Sequence, residues 1–434
     1  MRRSLLLVLT LLFVLLAGCR EPEDGKTRIR VTFWGVPEEK KIITDTIRNW
    51  EKNHPDIVVI LEHASYPNYC EKILTQVAGD SGPDVIFTDI PYFFTFQSHD
   101  MFLDLTPYVN RTQPPLTSRF FPEIMKPFTR DAKIYCIPRD IAPITCVYYN
   151  KKAFQEAGIP LPTDDWDWNK FLYICRKLTR RDGERVTRYG FYGWEWVNFV
   201  FSNGGRIVDS EEHPTRCVLD SPEAREAIQF YHDLIYKEKV MPSPQQIAAS
   251  GMNTAQYFAN EVTAMYLTGI WETPQLKTLQ EQAKKEGKSF DWDIVQFPKG
   301  PRGTRGTRTG GSGYAILRTT KHPDAAWEAV EALAGAQGQT DLARTGLAQP
   351  ADSTIAESDV WAGTGNVPSN RKTLNDAVKY VVFDPYHPKW PYFQNNIVNR
   401  EMELYLLNLQ DLDTTIKAIT ADLNTALRKN AVQP

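Results

Sequence analysis

Between residues 30 and 88, short β-rich runs alternate with helix-patterned ones, and few folds accept that order. Residues 30–35 (RVTFWG) read as a strand. Residues 38–53 read as a helix, with Ile42, Ile43, Thr46, Ile47 and Trp50 at helical spacing and His54-Pro55 ending it. Residues 57–62 are a second strand, 68–78 a second helix and 84–88 (DVIFT) a third strand. Strands alternating with helices build parallel βαβ units, so an α/β fold is predicted. In such sheets ligands sit beyond the carboxyl ends of the strands. Trp34 closes the first strand, and Asp89 and Tyr92 follow the third, which makes them candidate ligand groups.

The 434 residues are enough for two domains. A net charge of −3 gives no electrostatic reason to expect a nucleic-acid or anionic-membrane partner. Seven scattered histidines without a His-Glu-x-x-His pattern argue against a metal site, and no cofactor is expected. Met1-Arg2-Arg3, the leucine-rich run 4–17 and the closing Leu16-Ala17-Gly18-Cys19 read as an export signal. The run is short for a bilayer span, which takes ~20 residues. Leu-Ala-Gly-Cys at that place resembles the bacterial lipobox, which implies a signal at 1–18, lipid on Cys19 and a polar tether over 19–28. A plain cleaved signal or a short anchor is the alternative. Five further cysteines show no Cys-x-x-Cys spacing, and Cys136 and Cys146 are a disulfide candidate only if their strands adjoin.

Residues 135–162 carry the densest signals. A strand over 134–137 is expected to stop at Pro138, which has no N–H to give a central ladder. Arg139 and Asp140 then set opposite charges beside an apolar segment. A second β-rich run, 144–149, leads to Asn150 as a helix cap, a helix over 151–157 and Gly158 as its stop. The pattern suits a chain leaving one sheet for another, and equally a loop between two strands of one sheet.

Tyr-x-x-Pro-x-Asp at 135–140, Tyr-Tyr-Asn-Lys-x-x-Phe-x-x-Ala-Gly-Ile at 148–159 and Pro-x-x-x-Trp-x-Trp-x-x-Phe at 162–171 follow one another. Together they resemble the first interlobe crossover of extracellular solute-binding proteins of ABC importers, in the sugar-binding, maltose-binding-like group. Phe-Trp-Gly at 33–35, GDSGPDVIFTD at 79–89, Asn-Gly-Gly at 203–205 and Ala-Met-x-Leu-x-Gly-x-Trp at 264–271 are similar to the same family and stand in its order. The resemblance implies a two-lobed periplasmic-binding-protein-like fold with a ligand cleft. It implies lobe one at 29–138 with 315–380 and lobe two at 139–314 with 381–434, the first hinge falling at Pro138–Asp140. It also implies a carbohydrate ligand, the transmembrane subunits of an ABC permease as partner and a monomer. The protein would be exported and held by its lipid on the outer face of the cell membrane or in the periplasm, with no chemical step.

A sugar presents apolar C–H faces and a ring of hydroxyls. Binding it takes flat aromatics together with carboxylate, guanidinium or amide groups. Such groups recur just past predicted strands: Trp34; Asp89 with Tyr92; Arg139 with Asp140; Trp194 with Glu195 and Trp196; Trp271 with Glu272. Ser312 lies at what resembles the second crossover, and Tyr386 and Trp390 form a later aromatic cluster. In the family the tryptophan matching Trp271 commonly packs on a sugar ring. Taken singly, each Trp is more often core and each charge more often solvated. Whether Arg139 and Asp140 face a ligand or one another stays open.

The competing class is a glycoside hydrolase drawing two carboxylates from Asp89, Asp140, Glu195 and Glu272. A third is a binding protein for a non-sugar solute. No Gly-x-Ser-x-Gly elbow is present. Gly25-Lys26-Thr27 and Gly287-Lys288-Ser289 lack the first glycine of a phosphate loop.

Overall fold

The computed structural model describes residues 24–430, apart from 112, 144–145 and 364. The expected signal segment and Cys19 lie outside the described residues. The first strands are β1 (Thr27–Phe33), β2 (Ile57–His63) and β3 (Val85–Asp89). Between them run α1 (Pro37–Glu51) and α2 (Tyr66–Ala78), and α3 (Ile90–Ser98) follows. β1 pairs in parallel with both β2 and β3, as the alternation of strand and helix requires.

Eight more strands belong to the two main sheets, in chain order: β4 (Ile137–Pro143), β5 (Cys146–Asn150), β6 (Tyr192–Gly193), β7 (Met265–Thr268), β8 (Trp292–Gln296), β9 (Thr307–Ile316), β10 (Gln349–Pro350) and β11 (Val381–Val382); two separate two-stranded ribbons, within 129–134 and 180–188, lie outside them. One sheet has the order β10-β4-β9-β3-β1-β2, with β11 beside the start of β9. The other has the order β6-β7-β5-β8. Each sheet has its own core. Phe33, Phe87, Tyr314 and Ile316 belong to the first, and Tyr148, Tyr266, Ile294 and Phe199 to the second. The closing helix Leu412–Lys429 buries Ile416, Ile419, Leu423 and Leu427 in the second core, one face of a helical repeat.

The chain passes between the sheets where β4 gives way to β5. Pro138 does not end its strand. β9 advances one residue, Ser312 to Gly313, while β4 goes from Asp140 to Pro138, so Arg139 is the unopposed residue of a β-bulge. A bulge is where a central strand admits proline. Gly313 makes the bulge passable, because a Cβ there would lie 2.4 Å from the Ile137 carbonyl oxygen and 2.7 Å from Cys136 Sγ. Residues 139–143 and 307–314, expected from the resemblance in the second lobe, therefore hydrogen-bond within the first sheet. Leu342, Trp361 and Leu374, from the stretch placed with the first lobe, pack into the second core. Cys136 and Cys146 are both buried free thiols, one beside each core.

Candidate functional site

Register sets out the floor of the site. Ser312 on β9 stands opposite Asp89 on β3 and opposite Asp140 on β4, so three polar residues share one row at the end of the first sheet. The bulge at Arg139 breaks the alternation that normally sends neighbouring side chains to opposite faces. Arg139 Nε thus donates to Asp140 Oδ2 at 2.7 Å, and Arg139 Nη2 donates to Glu39 Oε1 at 2.7 Å. The guanidinium lies 4.4 Å over the Phe87 ring. Ser312 N–H donates to Asp140 Oδ1 at 3.2 Å. Arg139 is 5% exposed and Asp140 1% exposed, so the two charges chiefly face each other and Glu39. Burial pushes the Glu39 and Asp140 carboxyls up, with the Arg139 guanidinium pulling the other way. Gly35, at φ +146°, lets Glu39 reach back from the first turn of α1, since a Cβ there would sit 2.3 Å from Glu39 Oε2.

Asp89 ends β3 and caps α3, its Oδ1 accepting from Tyr92 N–H at 3.1 Å. Its Oδ2 accepts from the Tyr66 hydroxyl at 2.6 Å. Burial raises its pKa to about 6. Tyr66 lies edge-on to Trp34 with centroids 5.3 Å apart, and tilted against Tyr92 at 5.1 Å. Trp34 also lies 4.5 Å from Phe87. Asp89 therefore stands at the edge of an aromatic shelf.

The second sheet contributes from the ends of β6 and β7. Trp194 follows β6 directly and is 40% exposed. Trp271 sits in the single turn Ile270–Glu272 after β7. Its indole folds over Gly269, where a Cβ would lie 1.9 Å from the ring. Arg308, near the start of β9, donates through Nε and Nη2 to Asp384 at 2.9 and 2.7 Å and through Nη1 to Glu195 at 3.1 Å. These groups border a cleft of about 720 Å³ whose walls come from both sheets.

Of the residues singled out from the sequence, Trp34, Asp89, Arg139, Asp140, Trp194, Trp271 and Ser312 line this cleft. Tyr92 stands one ring behind, against Tyr66. Glu195 is buried behind Arg308. Trp196 and Trp390 are in the second core. Glu272 is turned inward, its Oε2 without a hydrogen-bond partner among the described residues. Tyr386 stacks on Phe94 at 4.7 Å in the first core. Glu39, Tyr66, Arg308 and Asp384 line the cleft without having been singled out. Tyr66 had a readable signal, since it follows the end of β2 just as Trp34 and Asp89 follow β1 and β3.

The family model for bacterial extracellular solute-binding proteins matches residues 36–340. An arabinooligosaccharide-binding protein of Halalkalibacterium halodurans is 20% identical over 93% of this chain and 81% of its own. A multiple sugar-binding protein of Streptococcus mutans is 23% identical over 74% of this chain and 75% of its own. Among solved structures, an ABC substrate-binding protein of Listeria monocytogenes in complex with cycloalternan superposes with a TM-score of 0.80. It is 23% identical, covering 93% of this chain and 99% of its own.

Proposed function

This chain belongs to the bacterial extracellular solute-binding protein family, and from that premise we propose that it captures a carbohydrate in the cleft and delivers it to the transmembrane subunits of an ABC importer. One observation carries the reading. Indole rings from both sheets, Trp34 on one side and Trp194 and Trp271 on the other, border the cleft that ends on the row Asp89, Ser312, Asp140. Aromatic faces suit the C–H surface of a sugar ring, and the polar row suits its hydroxyls. The arabinooligosaccharide-binding relative and the cycloalternan-bound neighbour support the same ligand class. A ligand touching both sheets favours the arrangement in which both reach it, by its difference in affinity for the open and closed forms. The protein binds and releases without a chemical step.

Thermal denaturation across a panel of mono- and oligosaccharides tests this. A cognate sugar at about 100 times its Kd stabilises the fold by about 2.7 kcal/mol and raises Tm by a few degrees. A panel with no shift, or turnover of a glycoside by the same preparation, counts against it. The lipid anchor has its own test. Cys19→Ser is expected to move the expressed protein from the membrane to the soluble fraction, and unchanged membrane retention overturns the anchor.

A further inference from the structure

The cleft is not balanced in charge. Glu39, Asp89, Asp140 and Asp384 line it, against the guanidinium groups of Arg139 and Arg308. Both guanidinium groups are already committed. Arg139 is held by Glu39 and Asp140, and Arg308 by Asp384 and Glu195. His63, also on the wall, bonds through Nε2 to the Gly35 carbonyl. Among the described residues no cation pairs with Asp89. Its partners are two neutral donors, the Tyr66 hydroxyl and the Tyr92 N–H. Asp384 sets a further negative charge against it.

Asp89 also has the surroundings a cation selects. Trp34, Tyr66 and Tyr92 form a connected set of rings beside it, with Tyr66 42% exposed. An ammonium group gains from ring faces through their quadrupole and from a carboxylate through charge-assisted hydrogen bonds. A neutral sugar would offer Asp89 hydroxyl donors but no positive charge to offset it and Asp384 once the cleft closes and water is expelled, whereas an ammonium supplies both. With its pKa at about 6, Asp89 is ionised at neutral pH. We infer that the ligand is an amino-substituted carbohydrate whose protonated amine sits on Asp89 at the edge of the Trp34–Tyr66–Tyr92 shelf. This rests on the carbohydrate reading and narrows it.

The test is calorimetric titration of matched pairs that differ only by amine against hydroxyl. Suitable pairs are glucosamine and glucose, galactosamine and galactose, and glucosamine oligomers against cello-oligosaccharides of equal length, at pH 6.5 and low salt, where the amine and Asp89 both carry charge. The amine member of the recognised pair is expected to bind about tenfold or more tightly, a preference that falls as salt rises. Asp89→Asn, which keeps a capping side chain for α3, is expected to bring the ratio close to one. Tyr66→Phe, which removes a competing donor, is expected to retain the preference. Equal or tighter binding of the hydroxyl member, or a ratio untouched by Asp89→Asn, overturns the inference and leaves the carbohydrate reading standing. No binding in either series overturns both.

Discussion

Trp271→Ala is expected to weaken carbohydrate binding by about thirtyfold or more, the cost of losing a central aromatic contact worth about 2 kcal/mol or above. Trp271 is one of the second sheet's two indole rings at the cleft, carried on a one-turn segment after β7. It is only half-buried, so the fold is expected to lose far less than the affinity does. A second substitution separates the ring from its position. Gly269 has ordinary extended backbone, φ −79° and ψ 157°, which alanine adopts without strain. Its new Cβ would fall 1.9 Å from the indole, so Gly269→Ala must push the ring aside. Gly269→Ala is therefore expected to lose affinity in the same direction as Trp271→Ala while keeping every cleft side chain. Titration of the recognised sugar, with circular dichroism to check folding, reads both variants. Wild-type affinity in a folded Trp271→Ala protein would remove the ring from the site.

The α/β class and the floor of the site were readable because both follow from one rule. Residues at or just past the carboxyl ends of β1, β3, β6 and β7 reach the cleft, and Trp34, Asp89, Trp194 and Trp271 stand at those places. Local chemistry was readable too. Asn150 caps the helix Lys151–Ala157 through Ala153 N–H, and Gly158 ends it at φ +64°. Pairing between distant segments was not readable. Pro138 looked like a stop because its own sequence cannot show that β9 carries glycine at the one register position where a bulge is needed. Trp196 and Trp390 have the composition of sugar platforms, yet the packing of the second core claims them. Arg308 was not readable because its role depends on Asp384 and Glu195, 76 and 113 residues away. Glu39 joins the site only because Gly35 permits a close approach and because α1 starts beside β4's bulge.

Arg139 is where these threads meet, and its removal is expected to have the largest effect on stability. The guanidinium is the shared partner of Glu39 and Asp140, and all three are buried. Arg139→Met keeps much of the side-chain volume but leaves two carboxyls facing each other without a cation. Breaking a buried ionic set in this way costs about 3–5 kcal/mol. The pH dependence has a fixed sign. Glu39 and Asp140 already have folded pKa values raised by burial above their unfolded ones, and losing Arg139 raises them further. A raised carboxyl favours the fold below its unfolded pKa and loses that contribution as pH rises through its folded pKa. The deficit of Arg139→Met is therefore expected to be greatest near pH 8 and to shrink towards pH 5. Adding Glu39→Gln and Asp140→Asn to Arg139→Met removes the stranded charges and is expected to recover much of the loss, since the ionic set as a whole contributes little net stability. Urea denaturation of the three proteins, wild type, single and triple variant, at both pH values decides it. A single-variant midpoint equal to wild type at pH 8, or a triple variant no better than the single one, would mean that Arg139 holds the site by packing on Phe87 rather than by charge.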